Sequence, residues 1–179
     1  LIKSYMSLKS QNIVERWFAA IGGANGEGEK VLRAFMSRVE EAGIPDIVAE
    51  KIKMNTGLAS APSKSMFSLG INRSMREMIE IKNETMLGWL IYVGARDYGK
   101  QLLVSWYLVA DEKELPRTAK AIFGAESMME LGLFKTEELS AFVTIIHEAL
   151  KSAVSDSMKE LNLDFTKVDT HTRGFLNIS

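Results

Sequence analysis

Two apolar, aromatic-rich runs flank a polar turn between Met86 and Val109, in the stretch MLGWLIYVGARDYGKQLLVSWYLV. Each run is too short to cross a membrane as a helix. Both are rich in the β-branched and aromatic residues that suit strands. They predict two adjacent antiparallel strands joined through Ala95, Arg96, Asp97, Tyr98, Gly99 and Lys100. On the first, Leu87, Trp89, Ile91 and Val93 point one way, and Leu90 and Tyr92 the other. On the second, Leu102, Val104, Trp106 and Leu108 oppose Leu103, Ser105, Tyr107 and Val109. With both faces apolar, the hairpin belongs at the centre of a sheet, covered on both sides or lining a cavity. Trp89 and Trp106 are expected to share a face and pack as an aromatic pair.

The flanking segments divide by period. Ile13, Val14, Trp17, Phe18 and Ile21 recur at three- and four-residue spacing, which predicts a first helix over Ser10–Ile21, capped by Ser10 and stopped at Gly22-Gly23. Val31, Leu32, Phe35, Met36 and Val39 predict a second helix over Glu27–Ala42, with Gly43 as its left-handed cap and Pro45 as a stop. Val48, Ile52 and Met54 alternate with Lys51 and Lys53, a half-buried strand. Met66–Ile71 reads as a short strand. Glu77, Ile79 and Ile81 alternate with Arg76, Met78, Glu80 and Lys82, a further strand. Beyond Asp111 the pattern is helical again, with Pro116 at a first helical position and short turns through Phe123 and Leu131. Thr136–Leu161 predicts the longest helix, about 39 Å at 1.5 Å per residue, enough to cross a sheet. Leu139, Phe142, Val143, Ile146, Leu150, Ala153, Val154 and Leu161 are its apolar stripe, and Gly174–Ile178 reads as a final strand.

The fold expected from these elements is α+β. It has two N-terminal helices, an antiparallel meander of four to six strands, and a long C-terminal helix packed across the sheet. The 179 residues form one such domain. Because the chain begins at Leu1, a domain cut from a longer protein is one reading of it.

Composition narrows the chemistry. There is no cysteine, which removes disulfides, thiolate nucleophiles and zinc–thiolate sites. No membrane-spanning run or signal-peptide core is present, and a cytoplasmic location is expected. The net charge of −1 provides no surplus of cations, so a nucleic-acid partner is not expected from composition, although a locally basic face is compatible with it. Near-zero charge and possible strand edges at Met66 or Gly174–Ile178 point to self-association or docking on a neighbouring domain.

Candidate sites are few, and each has a plain structural alternative. Gly22–Gly28 is glycine-rich and opens a helix, but it lacks the preceding strand and the Gly-Lys-Ser/Thr ending of a phosphate loop. Arg96, Asp97 and Tyr98 place a cation, a carboxylate and a phenol at one hairpin tip, where Asp97 and Gly99 also serve ordinary turn chemistry. His147 stands at the edge of the long helix's apolar stripe, with no second ligand one turn away. Asp164, Asp169 and His171, with Arg173 nearby, form a polar stretch in which an Asp-x-His pair can hold a divalent metal; a solvated tail is its alternative. The ten methionines read as core filler.

The run RDYGKQLLVSWYLV is similar to one in a family of uncharacterised prokaryotic proteins. The resemblance covers the hairpin and, more loosely, the long helix and tail. It implies no activity, cofactor or site residue.

The function expected is a non-enzymatic binding or protein-interaction module. Its ligand would be apolar, held between helix and sheet and oriented by Tyr92, Tyr107 or Arg96. No cofactor is expected. The alternative is a metal-dependent or general acid–base hydrolase using Asp164, Asp169 and His171.

Overall fold

Strand β1, Ile13–Gly22, occupies the segment whose spacing predicts a helix. The computed structural model describes residues 13–55, 75–110 and 133–174, together with Leu176 and Ile178. In β1, Glu15, Trp17, Ala19 and Ile21 are buried while Arg16, Phe18 and Ala20 are exposed, a period of two. Ile13, Val14, Trp17, Phe18 and Ile21 fit a helical stripe equally well. Two things hid the alternation: Glu15 puts a carboxylate on the buried face, and Ala19 and Ala20 mark neither face. Pairing with a strand some ninety residues away decides the conformation, with Trp17 opposite Trp106 and Phe18 opposite Ser105. Among the described residues, one helix therefore precedes the meander where two were expected.

That helix, α1, spans Gly28–Glu41 and buries Val31, Phe35 and Val39. Gly43 follows it at φ +60°, the left-handed residue its position predicts. Strands β2 (Ile47–Asn55), β3 (Met75–Asn83), β4 (Trp89–Tyr98) and β5 (Gln101–Ala110) form an antiparallel meander. Gly99, at φ +60°, helps make the two-residue turn between β4 and β5. Helix α2 covers Leu133–Glu160, about 42 Å long. A 3-10 turn at Phe165–Lys167 leads to β6, Arg173–Gly174. The sheet order is β2-β3-β4-β5-β1-β6, antiparallel throughout.

One face of the sheet carries Trp17, Ile79, Ile81, Ile91, Val93, Val104 and Trp106, which share a core with the apolar stripes of α1 and α2. Polar side chains join the helices at their edges: Arg38 pairs with Asp156, and the Ser157 hydroxyl donates to Glu27 at 3.1 Å. Trp89 lies opposite Ala110, so Trp106 takes Trp17 as its cross-strand partner instead of Trp89. The other face holds a smaller cluster of Met54, Met78, Leu90, Tyr92 and Val109. The two-sided burial expected of the hairpin is therefore present.

The final strand is shorter than its pattern predicts. Arg173 and Gly174 pair with Arg16 and Glu15, and the chain then folds back so that Thr172 N–H donates to the Ile178 carbonyl. The predicted strand at Met66–Ile71 and the helical turns from Pro116 to Leu131 lie outside the described residues. Among the described residues no helix is long and apolar enough to cross a membrane.

Candidate functional site

The sheet face turned away from the helices collects arginines. Antiparallel pairing sets side chains of opposed residues on the same face. Arg173 lies opposite Arg16, Arg16 opposite Tyr107, and Tyr107 opposite Tyr92. The row continues through Glu80 to Glu50. Two residues along, Phe18, Ser105 and Gly94 form the next row, and a further two along, Leu103 and Arg96 form a third. Arg76 of β3 is close enough to Arg96 that the second guanidinium's charge, together with burial as the larger cause, lowers the Arg76 pKa from the usual arginine value. Tyr107 is hydrogen-bonded to Arg76.

Two concavities meet at Phe18 and Tyr107. The larger, about 290 Å³, is lined by Arg16, Trp17, Phe18, Tyr107, Asp169, His171 and Arg173. The smaller lies among Phe18, Arg76, Gly94, Arg96, Leu103, Ser105 and Tyr107. This hollow is only about 30 Å³, because the Met78 side chain packs over Gly94, and Phe18 stands beside it 55% exposed. Arg96 also lies over the exposed Tyr98 ring, 5.8 Å from its centroid. Among the described residues, none of Arg16, Arg76, Arg96 and Arg173 forms an ion pair with a carboxylate. A third concavity lies on the outer side of α2, between Thr136, Ser140, Thr144, Ile145 and Leu176.

The segment from Asp169 to Ile178 is positioned by buried polar groups. Trp17 Nε1–H donates to the Asp169 carbonyl at 2.8 Å. His147 is fully buried: its Nδ1 accepts from Trp106 Nε1–H, and its Nε2–H donates to the Thr170 carbonyl, each at 2.9 Å. Its ring also meets Trp17 and Trp106 edge-on. Burial, the largest cause, lowers its pKa. Glu15, fully buried, accepts from the Thr172 hydroxyl and from Leu176 N–H at 2.8 Å. With Thr172 turned inward and Asp169, His171 and Arg173 exposed, the last three residues line the larger concavity.

The sequence-predicted residues thus divide. Arg96, Tyr107, Asp169, His171 and Arg173 line the arginine-rich face. Tyr98 is exposed at the hairpin tip, and Tyr92 is buried in the smaller cluster. Asp97 points to the helix side. Both its carboxylate oxygens accept from Gly26 N–H, at 2.9 and 3.0 Å. The glycine-rich turn does follow a strand, and the anion at its amide is the protein's own carboxylate. Asp164 does not line the concavity; hydrogen bonds from the Thr166 hydroxyl and N–H hold its carboxyl below the usual range. Asp169 Oδ1 contacts His171 N–H and Nδ1 at 3.1 and 3.2 Å, which lowers the Asp169 pKa. Among the described residues no group of three or more His, Cys, Asp or Glu is placed to hold a metal.

Sequence reasoning missed Glu15, Arg16, Phe18 and Arg76 as parts of one arrangement. Its one usable signal was Glu15-Arg16, two charges inside an apolar run. Compared with protein-family models, curated proteins and solved structures, the chain finds no match.

Proposed function

We propose that the chain is a non-enzymatic binding module that receives an anionic ligand on the arginine-lined face of its sheet. The observation that carries this reading is the direct opposition of Arg16 and Arg173, neither of them ion-paired to a carboxylate among the described residues. Like charges directly opposed across strands destabilise a sheet. An anion between them removes that cost and gains charge-assisted, bidentate hydrogen bonds. Arg76 and Arg96 bring a second two cations together at the smaller concavity. The expected apolar ligand between helix and sheet has less support, since the described concavities are lined chiefly by residues outside that interface.

The test is a thermal-shift screen with phosphate, pyrophosphate, polyphosphate and polycarboxylates, run beside lipid-like and aromatic neutral compounds. Anions should raise the unfolding temperature of the native protein and not that of Arg16→Glu/Arg96→Glu. A response to neutral apolar compounds alone would overturn the reading.

The Asp169–His171 contact beside Arg173 favours one second reading, acid–base hydrolysis of an anionic ester in the larger concavity. Turnover of generic phosphate or carboxylate esters that is lost in His171→Ala would establish it; no turnover would remove it.

A further inference from the structure

We infer that the anion is a single-stranded oligonucleotide, with one base on Phe18 and its phosphates at the two arginine pairs. This rests on the anion-binding reading above and specifies its ligand. Separation comes first. Arg16 and Arg96 are two strands and four residues apart, which places their backbones about 16 Å from each other. One phosphate cannot serve both pairs, whereas a phosphodiester chain a few nucleotides long reaches from one to the other.

What lies between the pairs is an aromatic ring. Phe18 occupies the row between those of Arg16 and Arg96, and it is 55% exposed. Its cross-strand partner Ser105 is small and does not rise beside the ring, which stands open to solvent. Rings that accept bases, set among cations that track a backbone, are the means by which proteins bind single strands. Duplex bases are already stacked on each other, so Phe18 can engage only an unpaired one.

Acidic groups restrict the path. Asp169 faces the larger concavity, but its carboxylate is engaged by His171 and lies near Arg173. Glu80 and Glu50 continue the row on the far side of Tyr92, and Glu80 pairs with Lys82 at 2.7 Å. They turn a phosphate chain away from β2. The strand therefore runs diagonally, from Arg173 and Arg16 past Phe18 to Arg96 and Arg76. The net charge of −1 sums the whole chain and does not describe this face.

Fluorescence anisotropy tests the inference with a labelled deoxythymidylate octamer, a duplex of the same length, a phosphopeptide and inorganic polyphosphate of matched charge. The octamer should bind at least fivefold more tightly than the duplex. If all four arginines contact phosphates, the logarithm of affinity should fall with that of salt at a slope of about −3. Phe18→Ala should weaken the octamer about tenfold and leave polyphosphate unchanged. Arg16→Gln and Arg96→Gln should weaken both. Phe18→Leu, which keeps bulk without a ring, replaces Phe18→Ala if that variant does not fold. Equal binding of duplex and octamer, tighter binding of the phosphopeptide, or indifference of the octamer to loss of the ring overturns the oligonucleotide and leaves the anion site standing. Failure of every anion to bind overturns both.

Discussion

Trp106 Nε1–H donates to His147 Nδ1 at 2.9 Å, in a core where both residues are fully buried. The bond fixes the tautomer: Nδ1 accepts, so the ring proton sits on Nε2 and donates to the Thr170 carbonyl. Protonating Nδ1 would set two N–H groups against each other. Burial and the charge of Lys151 oppose the proton, while Glu148 and the Thr170 carbonyl favour it. The net effect is a pKa below the ordinary histidine value.

A pH dependence follows, with a definite sign. The unfolded chain binds a proton at His147 near pH 6.5, and the folded chain does so only at lower pH. Stability contributed by the neutral ring is present above pH 6.5 and is lost as pH falls from there through the folded pKa. The slope is at most about 1.4 kcal/mol per pH unit. Urea denaturation between pH 7.5 and 5.5 should show this, and His147→Phe should remove His147's share of the slope. The same variant strands the Trp106 N–H and the Thr170 carbonyl, so it should cost about 2–4 kcal/mol at pH 7.5. A slope unchanged by the substitution would show that other groups carry it.

Glu15 ties the C-terminal segment to β1 by accepting from Thr172 and Leu176. In Glu15→Gln one acceptor becomes an amide donor facing a donor. The expected loss is about 1–3 kcal/mol, with faster hydrogen exchange at the amides of Thr172 and Ile178. Protection equal to that of the native chain at both amides would mean that the segment is held by other contacts.

Gly174 passes so close to β1 that a Cβ there would overlap Val14 O and Glu15 Oε2. Backbone cannot yield as a flexible side chain does. Gly174→Ala should therefore break the β1–β6 pairing, cost about 2 kcal/mol or more, and separate Arg173 from Arg16 without removing a charge. Anion affinity should fall with it. Unchanged stability in thermal unfolding would contradict the geometry.

Arg16→Gln should act oppositely on stability and binding. Removing one of two opposed guanidiniums relieves repulsion, which should stabilise the ligand-free protein by about 0.2–1 kcal/mol at low salt. The gain should shrink as salt is added, and anion affinity should fall. Destabilisation at low salt would mean that Arg16 contributes packing outweighing its charge.

The alternation in Arg76–Lys82 and across Trp89–Val109 identified the centre of the sheet and the two faces of its hairpin, whereas Leu87, expected on the first strand, lies in the turn before it and is exposed. The stripes Val31–Val39 and Leu139–Val154 likewise identified the two described helices, and Gly43 and Gly99 a helix cap and a hairpin turn. These signals are local: burial on one face imposes a period that nearby residues record together. The 13–22 segment carried two periods at once, and only its pairing with β5 chose between them.

The candidate face was scarcely legible for the same reason. Arg16 and Arg173 stand near opposite ends of the chain, and each alone reads as an ordinary exposed cation. Glu15, His147 and Thr172 appear as polar residues in or beside apolar runs, with nothing to say that they hold one segment. Periodicity and glycine placement determined which residues turn inward along each element. Which elements lie side by side, and so which charges oppose one another, was decided by long-range strand pairing, where the energy comes from partners that neighbouring residues do not specify.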